Sequence, residues 1–202
     1  GDWSSDVCYS DLPTLALNWF DYCGTEEEFD EAAAKVIQFA KLDIRNRILR
    51  RYPLYSVANA ILRLIRMKSS RRLTQTGLLE GYYEKHLYGD KCLFQLPEYP
   101  ELHILATNLS EGCLCSFNRA GLSKQRRAGG DLTQVSAGLA TIPMAVAASS
   151  AFPGFFPPLV LQAWDVGEND GEFDLQAFTD GGVFDNLGVR FLKIFKPAIA
   201  DP

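Results

Sequence analysis

Thr179-Asp180-Gly181-Gly182-Val183-Phe184-Asp185-Asn186 is the stretch around which the chain is organised. Two apolar runs, Leu159-Val160-Leu161 and Ala177-Phe178, lead up to it and read as short buried strands. The second run ends on an aspartate followed by two glycines. A carboxylate at a strand end, with backbone free to turn sharply behind it, is a common way to present a catalytic group. The plain alternative is a tight turn carrying a solvated aspartate. The segment just upstream, AASSAFPGFFPP over residues 147–158, favours chemistry.

Working outward, Leu102 to Thr107 reads as a strand and Gly112 to Phe117 as another, with Asn108 to Glu111 as a hairpin turn between them. Ala120 to Leu132 is polar, holds Arg126, Arg127, Gly129 and Gly130, and reads as a mobile loop. Ser136 is placed to cap a helix of small residues from Ala137 to Ser150. Small side chains let such a helix lie close against a sheet, so it should be central. Asp165 to Asp174 is an acidic link between the last two strands, and Asp185 or Asn186 should cap a final helix running through Phe195.

The first half of the chain reads as helical. Leu15 to Phe20 looks like the tail of a buried helix stopped by Gly24. Thr25 with Glu28 forms a capping box. It opens one long amphipathic helix with apolar positions at Phe29, Ala33, Val36, Ile37, Ala40, Ile44 and Ile48. Pro53 should start a second helix to about Met67, its apolar side formed by Leu54, Val57, Ala58, Ile61, Leu62 and Ile65. Leu78 to Leu87 should be a short helix carrying Tyr82, Tyr83 and His86.

The 202 residues suffice for one domain with a real core, and 47% apolar with 22% charged residues is ordinary for a globular chain. A net charge of −5 gives no bulk argument for nucleic acid. No apolar stretch is long enough to cross a membrane, and no leader pattern is visible at the start. Five cysteines (8, 23, 92, 113, 115), odd in number and without framework spacing, favour reduced thiols and a cytoplasmic setting. Cys113 and Cys115 share one face of a strand. They read as a pair of half-buried thiols rather than as a metal site with Cys92 or a histidine, because no second ligand pair has zinc spacing.

Charge is unevenly spread. Between Lys41 and Arg72 ten basic residues meet one acid, Asp43, so the segment is +9. A basic, apolar helix pair suits the surface of an anionic membrane, and equally the solvated outer face of two core-packing helices. Nucleic acid is disfavoured because Tyr52 and Tyr55 form no stacking platform. Residues 1–12, GDWSSDVCYSDL, have no helical or strand period and match the rest of the chain in neither composition nor pattern. They resemble the read-through translation of a sequencing-library adapter, with Tyr9 where that translation has serine, and are set aside as a non-native tail.

Four stretches, in order, resemble the patatin-like phospholipases, a family of serine lipid acyl hydrolases. They are Ile104 to Leu109 with Gly112, the helix Ala145 to Ser150 with Pro153 and the following Phe-Phe-Pro-Pro, the Asp180-Gly181-Gly182 motif, and Asn186. The resemblance covers about residues 100–195 well and 13–50 loosely. It implies an α/β fold, a mixed and mainly parallel sheet flanked by helices, in a partial domain of residues 13–202 with a helical insertion at about 25–90. It also implies a Ser-Asp dyad in which Asp180 is the catalytic base, with no histidine between, and no cofactor or metal. Only His86 and His103 occur in the chain, which fits a dyad better than a Ser-His-Asp triad.

Two parts of that machinery have no counterpart in the sequence. There is no Gly-x-Ser-x-Gly and no run of three glycines before a basic residue for an oxyanion loop. Gln134-Val135-Ser136-Ala137-Gly138 lacks the first glycine, and Arg127-Ala128-Gly129-Gly130 stands in the wrong place. In the family both motifs precede the hairpin, and the helix after the nucleophile would run into a stretch like Leu12 to Leu17. The expectation is therefore an N-terminally truncated fragment that keeps the base, lacks the serine and is inactive. Such a fragment, without the strand leading to the nucleophile, should expose apolar surface. The alternatives are a non-catalytic lipid- or partner-binding relative, and a hydrolase using Ser136 with His103. The substrate implied is a phospholipid or other acyl ester.

Overall fold

The computed structural model describes residues 25–64, 71–98, 101–125, 132–168 and 173–185. Helices come first and a six-stranded sheet follows, with one buried helix crossing it. The expectations for residues 1–20, for Asn186 and for the helix after it lie outside the described residues.

Helix α1, Glu26–Ala40, begins at the expected capping box: Thr25 Oγ1 accepts from Glu28 N, and the Glu28 carboxylate accepts from Thr25 N. Its buried side is Ala32, Val36 and Phe39, spaced four and three apart. The single long helix expected through Ile48 is broken. Asp43 takes φ 47°, a left-handed conformation that aspartate tolerates, and its carboxylate accepts from Asn46 Nδ2 at 2.8 Å. Helix α2, Ile44–Leu64, starts there and runs straight through Pro53, which was expected to begin a helix. Pro53 is exposed, so water can take the Leu49 carbonyl that proline leaves without a donor. The expected apolar side is split, with Ala58 and Leu62 half-buried and its other described members exposed. Leu54, Val57 and Ile61 are exposed, while Ile48 is buried and Tyr52, Tyr55 and Leu62 are half-buried.

Helix α3, Gln75–Tyr83, is capped by Thr74 and runs into a π-helical turn over Glu84–Tyr88. Phe39 of α1 stacks on Tyr83 with ring centroids 5.1 Å apart. This contact brings the first helix to the third.

The strands are β1 (Ile104–Asn108), β2 (Cys113–Asn118), β3 (Gly121–Gln125), β4 (Leu132–Val135), β5 (Leu159–Leu161) and β6 (Gln176–Asp180). Their spatial order is β4-β3-β2-β1-β6-β5, and every pair is antiparallel. The mainly parallel sheet expected from the resemblance is therefore incorrect for these strands. Parallel neighbours need a crossover of a dozen residues or more, whereas β1, β2 and β3 are joined by tight turns. The first is the expected hairpin, with Asn108 Oδ1 accepting from Ser110 N at 3.0 Å and Glu111 N at 3.2 Å. In the second, Asn118 Oδ1 accepts from Ala120 N, and Gly121 adopts φ 123°. That turn starts β3 within the stretch expected to be loop.

The small-residue helix is α4, Ile142–Ser149, and all eight of its residues are buried. It packs on β1, β6 and α3, as its composition implied. Its cap is Thr141, whose hydroxyl accepts from Met144 N. Ser136 instead follows β4 as an exposed residue, so its expected capping role is wrong. On the sheet, Phe117 and Phe178 pack with ring centroids 5.5 Å apart. Short helices α5 (Ala163–Val166) and α6 (Gly182–Asp185) follow β5 and β6.

Candidate active site

Asp180 is the last residue of β6 and is 6% exposed. Its position is set from three sides. Its backbone N–H donates to Ala151 O at 3.2 Å, and Thr179 Oγ1 donates to the same carbonyl at 2.6 Å. Its own carbonyl accepts from Thr107 Oγ1 of β1 at 2.9 Å. Its carboxylate Oδ1 accepts from Gly182 N at 2.6 Å, across the turn that opens α6. An aspartate held by a donor two residues on is an Asx-type turn, so the carboxylate is oriented before any ligand arrives.

The motif's first glycine is needed for closeness rather than for an unusual φ. A Cβ on Gly181 would lie 2.7 Å from Leu105 O and 3.0 Å from Leu105 Cβ, while its own φ lies outside the left-handed region. The turn therefore presses directly on β1. Gly182 supplies the N–H that meets the carboxylate.

Three segments far apart in sequence thus meet at one point: Leu105 to Thr107, Ser149 to Ala151, and Thr179 to Gly182. Ser150 Oγ accepts from Tyr83 OH at 3.0 Å inside the core. Ser149 is fully buried, and its hydroxyl has no hydrogen-bond partner among the described residues. Pro157 O accepts from Thr76 Oγ1, which ties the Phe-Phe-Pro-Pro segment to α3. Tyr83, Thr107 and Thr179 were not identifiable as site residues from sequence. A hydroxyl within the strand-end pair Thr179-Asp180 was the one local hint.

The other candidates lie elsewhere. His103 Nδ1 is 2.9 Å from Ser116 Oγ, and Nε2 is 3.4 Å from Glu101 Oε1. Ser136 is not among its hydrogen-bond or ion-pair partners. His86 stacks on Tyr82. Cys113 and Cys115 are buried with their sulfurs 3.8 Å apart. Among the described residues no group of three or more His, Cys, Asp or Glu is placed to hold a metal ion.

A cavity of about 970 Å³ opens at the other end of α4, lined by Arg72, Glu80, Thr141, Met144, Gln162 and Trp164 among others; Asp180 does not line it. Its wall holds a charged triad: Arg71 Nη2 donates to Glu80 Oε1 at 2.9 Å, and Arg71 Nη1 lies 2.9 Å from Asp165 Oδ1, close enough to pair but poorly aligned as a hydrogen bond. Burial pushes the Glu80 carboxyl above its ordinary pKa, against the pull of Arg71 and Arg72.

Asp180 is thus a buried, backbone-held aspartate at a strand end of an α/β domain, followed by a glycine pressed on the neighbouring strand. The family model for patatin-like phospholipases matches residues 22–193, and the chain belongs to that family of lipid acyl hydrolases. Searches of curated proteins and of solved structures gave no match.

Proposed function

We propose that this chain is the base-bearing part of a patatin-like lipid acyl hydrolase working through a Ser-Asp dyad. Asp180 is the general base, and Gly181 and Gly182 shape the turn that holds it. The observation that carries this reading is the buried Asp180 gripped by Ala151 O, Thr107 Oγ1 and Gly182 N. In the proposed reaction Asp180 takes the serine proton as Oγ attacks the acyl carbonyl. The proton then passes to the leaving alcohol. Water, deprotonated by the same carboxylate, releases the acyl group as the acid and restores the serine. The 202 residues contain no Gly-x-Ser-x-Gly, so in this reading the nucleophile comes from outside them and these residues alone are inactive. The substrate class is a phospholipid or other acyl ester, with the Lys41–Arg72 segment facing an anionic membrane. The setting is cytoplasmic and peripheral to that membrane.

The absence of the serine motif also favours a second reading, a lipid- or partner-binding relative without catalysis. One experiment separates the two. The domain is joined to the coding sequence that precedes it in the intact gene and assayed on a soluble short-chain ester. Hydrolysis that drops about 10²-fold or more in Asp180→Asn supports the dyad. An intact gene without an upstream serine motif, or hydrolysis indifferent to Asp180→Asn, removes it.

A further inference from the structure

Helix α2 has an outer face of two chemically different halves. Its sequence contains five arginines and no acidic residue. Arg47, Arg50 and Arg51 are exposed in the first half. Beyond Pro53 the outer face changes: Leu54 is 75% exposed, Val57 59%, Ile61 54% and Leu64 84%. At 100° per residue these four fall within an arc of about 80°, and Arg50 lies on the same line toward the N-terminus. The opposite side carries buried Ile48 and half-buried Leu62 and packs on α3. The exposed stripe is therefore separate from the face that holds the helix in the domain.

We infer that α2 is a membrane-docking helix whose second half enters the acyl-chain boundary of an anionic bilayer while the arginines of its first half lie among the lipid headgroups. This deepens, and rests on, the lipid-substrate reading above. The combination on one helix selects the partner. Aliphatic side chains at this spacing have nothing to contact on a nucleic acid or on an acidic, hydrated protein face. A second copy in parallel contact would bring two acid-free arginine sets together, which like charge opposes, and one in antiparallel contact would leave the arginines without an anionic partner. An anionic bilayer supplies both an apolar layer for the leucines and phosphate oxygens for the guanidinium groups. The acids of the preceding helix, Glu26 to Glu28, Asp30 and Glu31, sit in the first two turns of α1, away from its junction with α2. Arg45, in α2's first turn, lies 4.2 Å over the ring of Phe155, which follows the Ser149–Ala151 segment that grips Asp180. The docking helix thus touches the loop leading out of the candidate site.

The test is flotation of the full 202-residue chain with phosphatidylcholine vesicles and with vesicles also containing phosphatidylserine. Preferential flotation with the anionic vesicles is expected, weakening as salt is raised. Arg50→Gln with Arg51→Gln should lower affinity about fivefold per arginine. Leu54→Ser with Ile61→Ser should abolish flotation while leaving circular dichroism unchanged. Failure of the parent chain to float, or unaltered flotation of either double variant, overturns the proposal. So does a dimer that only the Leu54/Ile61 variant dissociates without vesicle binding, since the face then belongs to a second copy. In the domain joined to its upstream coding sequence, soluble-ester hydrolysis makes no use of this face, so loss of docking with that hydrolysis intact rejects only this inference. Docking of the 202-residue chain, with no soluble-ester hydrolysis once the upstream coding sequence is joined, rejects only the enzymatic reading.

Discussion

Tyr83 of α3 donates its hydroxyl hydrogen to Oγ of Ser150 at 3.0 Å, across 67 residues of sequence and inside the core. Ser150 precedes Ala151, whose carbonyl accepts from both Thr179 Oγ1 and the Asp180 N–H. The helical half of the chain therefore reaches the strand-end carboxylate through two residues. Removing the bond with Tyr83→Phe keeps the ring stack on Phe39 and leaves Ser150 Oγ without that donor. A loss of about 1 kcal/mol is expected, seen as a lower urea midpoint at unchanged slope.

Gly181→Ala puts a methyl 2.7 Å from the Leu105 carbonyl, a backbone atom that cannot swing aside. Strand β1 or the turn must shift, at a cost of about 1–3 kcal/mol. Thermal unfolding of the variant should show a midpoint several degrees lower.

Asp180→Asn and Asp180→Ala should separate structure from chemistry. Asparagine keeps an oxygen for the Gly182 N–H, which the alanine variant leaves unsatisfied. The alanine variant should lose about 1 kcal/mol more stability than the asparagine one, measured by denaturant unfolding. Equal stabilities would show that the Asx turn contributes nothing.

The Arg71 triad gives a pH signature. The Glu80 carboxyl titrates above its ordinary value of 4.5 in the folded chain because burial penalises its charge. Between 4.5 and that raised value the folded state binds more protons than the unfolded one. Its stabilising contribution is complete below 4.5 and is lost as pH rises through the folded pKa. Glu80→Gln should flatten this part of the stability–pH curve. Arg71→Met, which strands two buried carboxylates, should cost about 3–5 kcal/mol at neutral pH.

Thiol reactivity should divide by burial. The hydrogen bond with Cys113, together with burial, holds the Cys115 thiol well above its ordinary pKa. At mildly alkaline pH, Cys92 should alkylate in the native protein, and Cys113 and Cys115 only on unfolding, as read by peptide mass spectrometry.

The parts of this arrangement that could be read from sequence are those with local causes. The Thr25 capping box, the Asn108 hairpin and the buried small-residue helix each depend on neighbours within a few positions. Direction of strand pairing depends on which strand lies beside which, and Ala106 opposite Asp180 is a relationship that no local pattern encodes. Pro53 misled because its helix-starting preference is outweighed when the ring faces water. Strand β3 was hidden because its outer positions, Lys124 and Gln125, are polar. The strand-end aspartate stood out in sequence, but the threonines that fix its backbone became meaningful only once Ala151 and β1 were seen beside it. The adapter-like first twelve residues and the segment where a nucleophile turn would end lie outside the described residues.

The sheet's connectivity also has a kinetic consequence. Strands β1, β2 and β3 are joined by hairpins and can zip together from contacts a few residues apart. Strand β6 must return to β1 across 73 residues, measured from Thr107 to Asp180. Closing so long a loop costs entropy before any contact compensates for it, so this pairing should form late. A collapsed chain that has made only its meander holds no oriented carboxylate. The oriented carboxylate would then report completion of folding, since no intermediate lacking the β1–β6 seam could hold it.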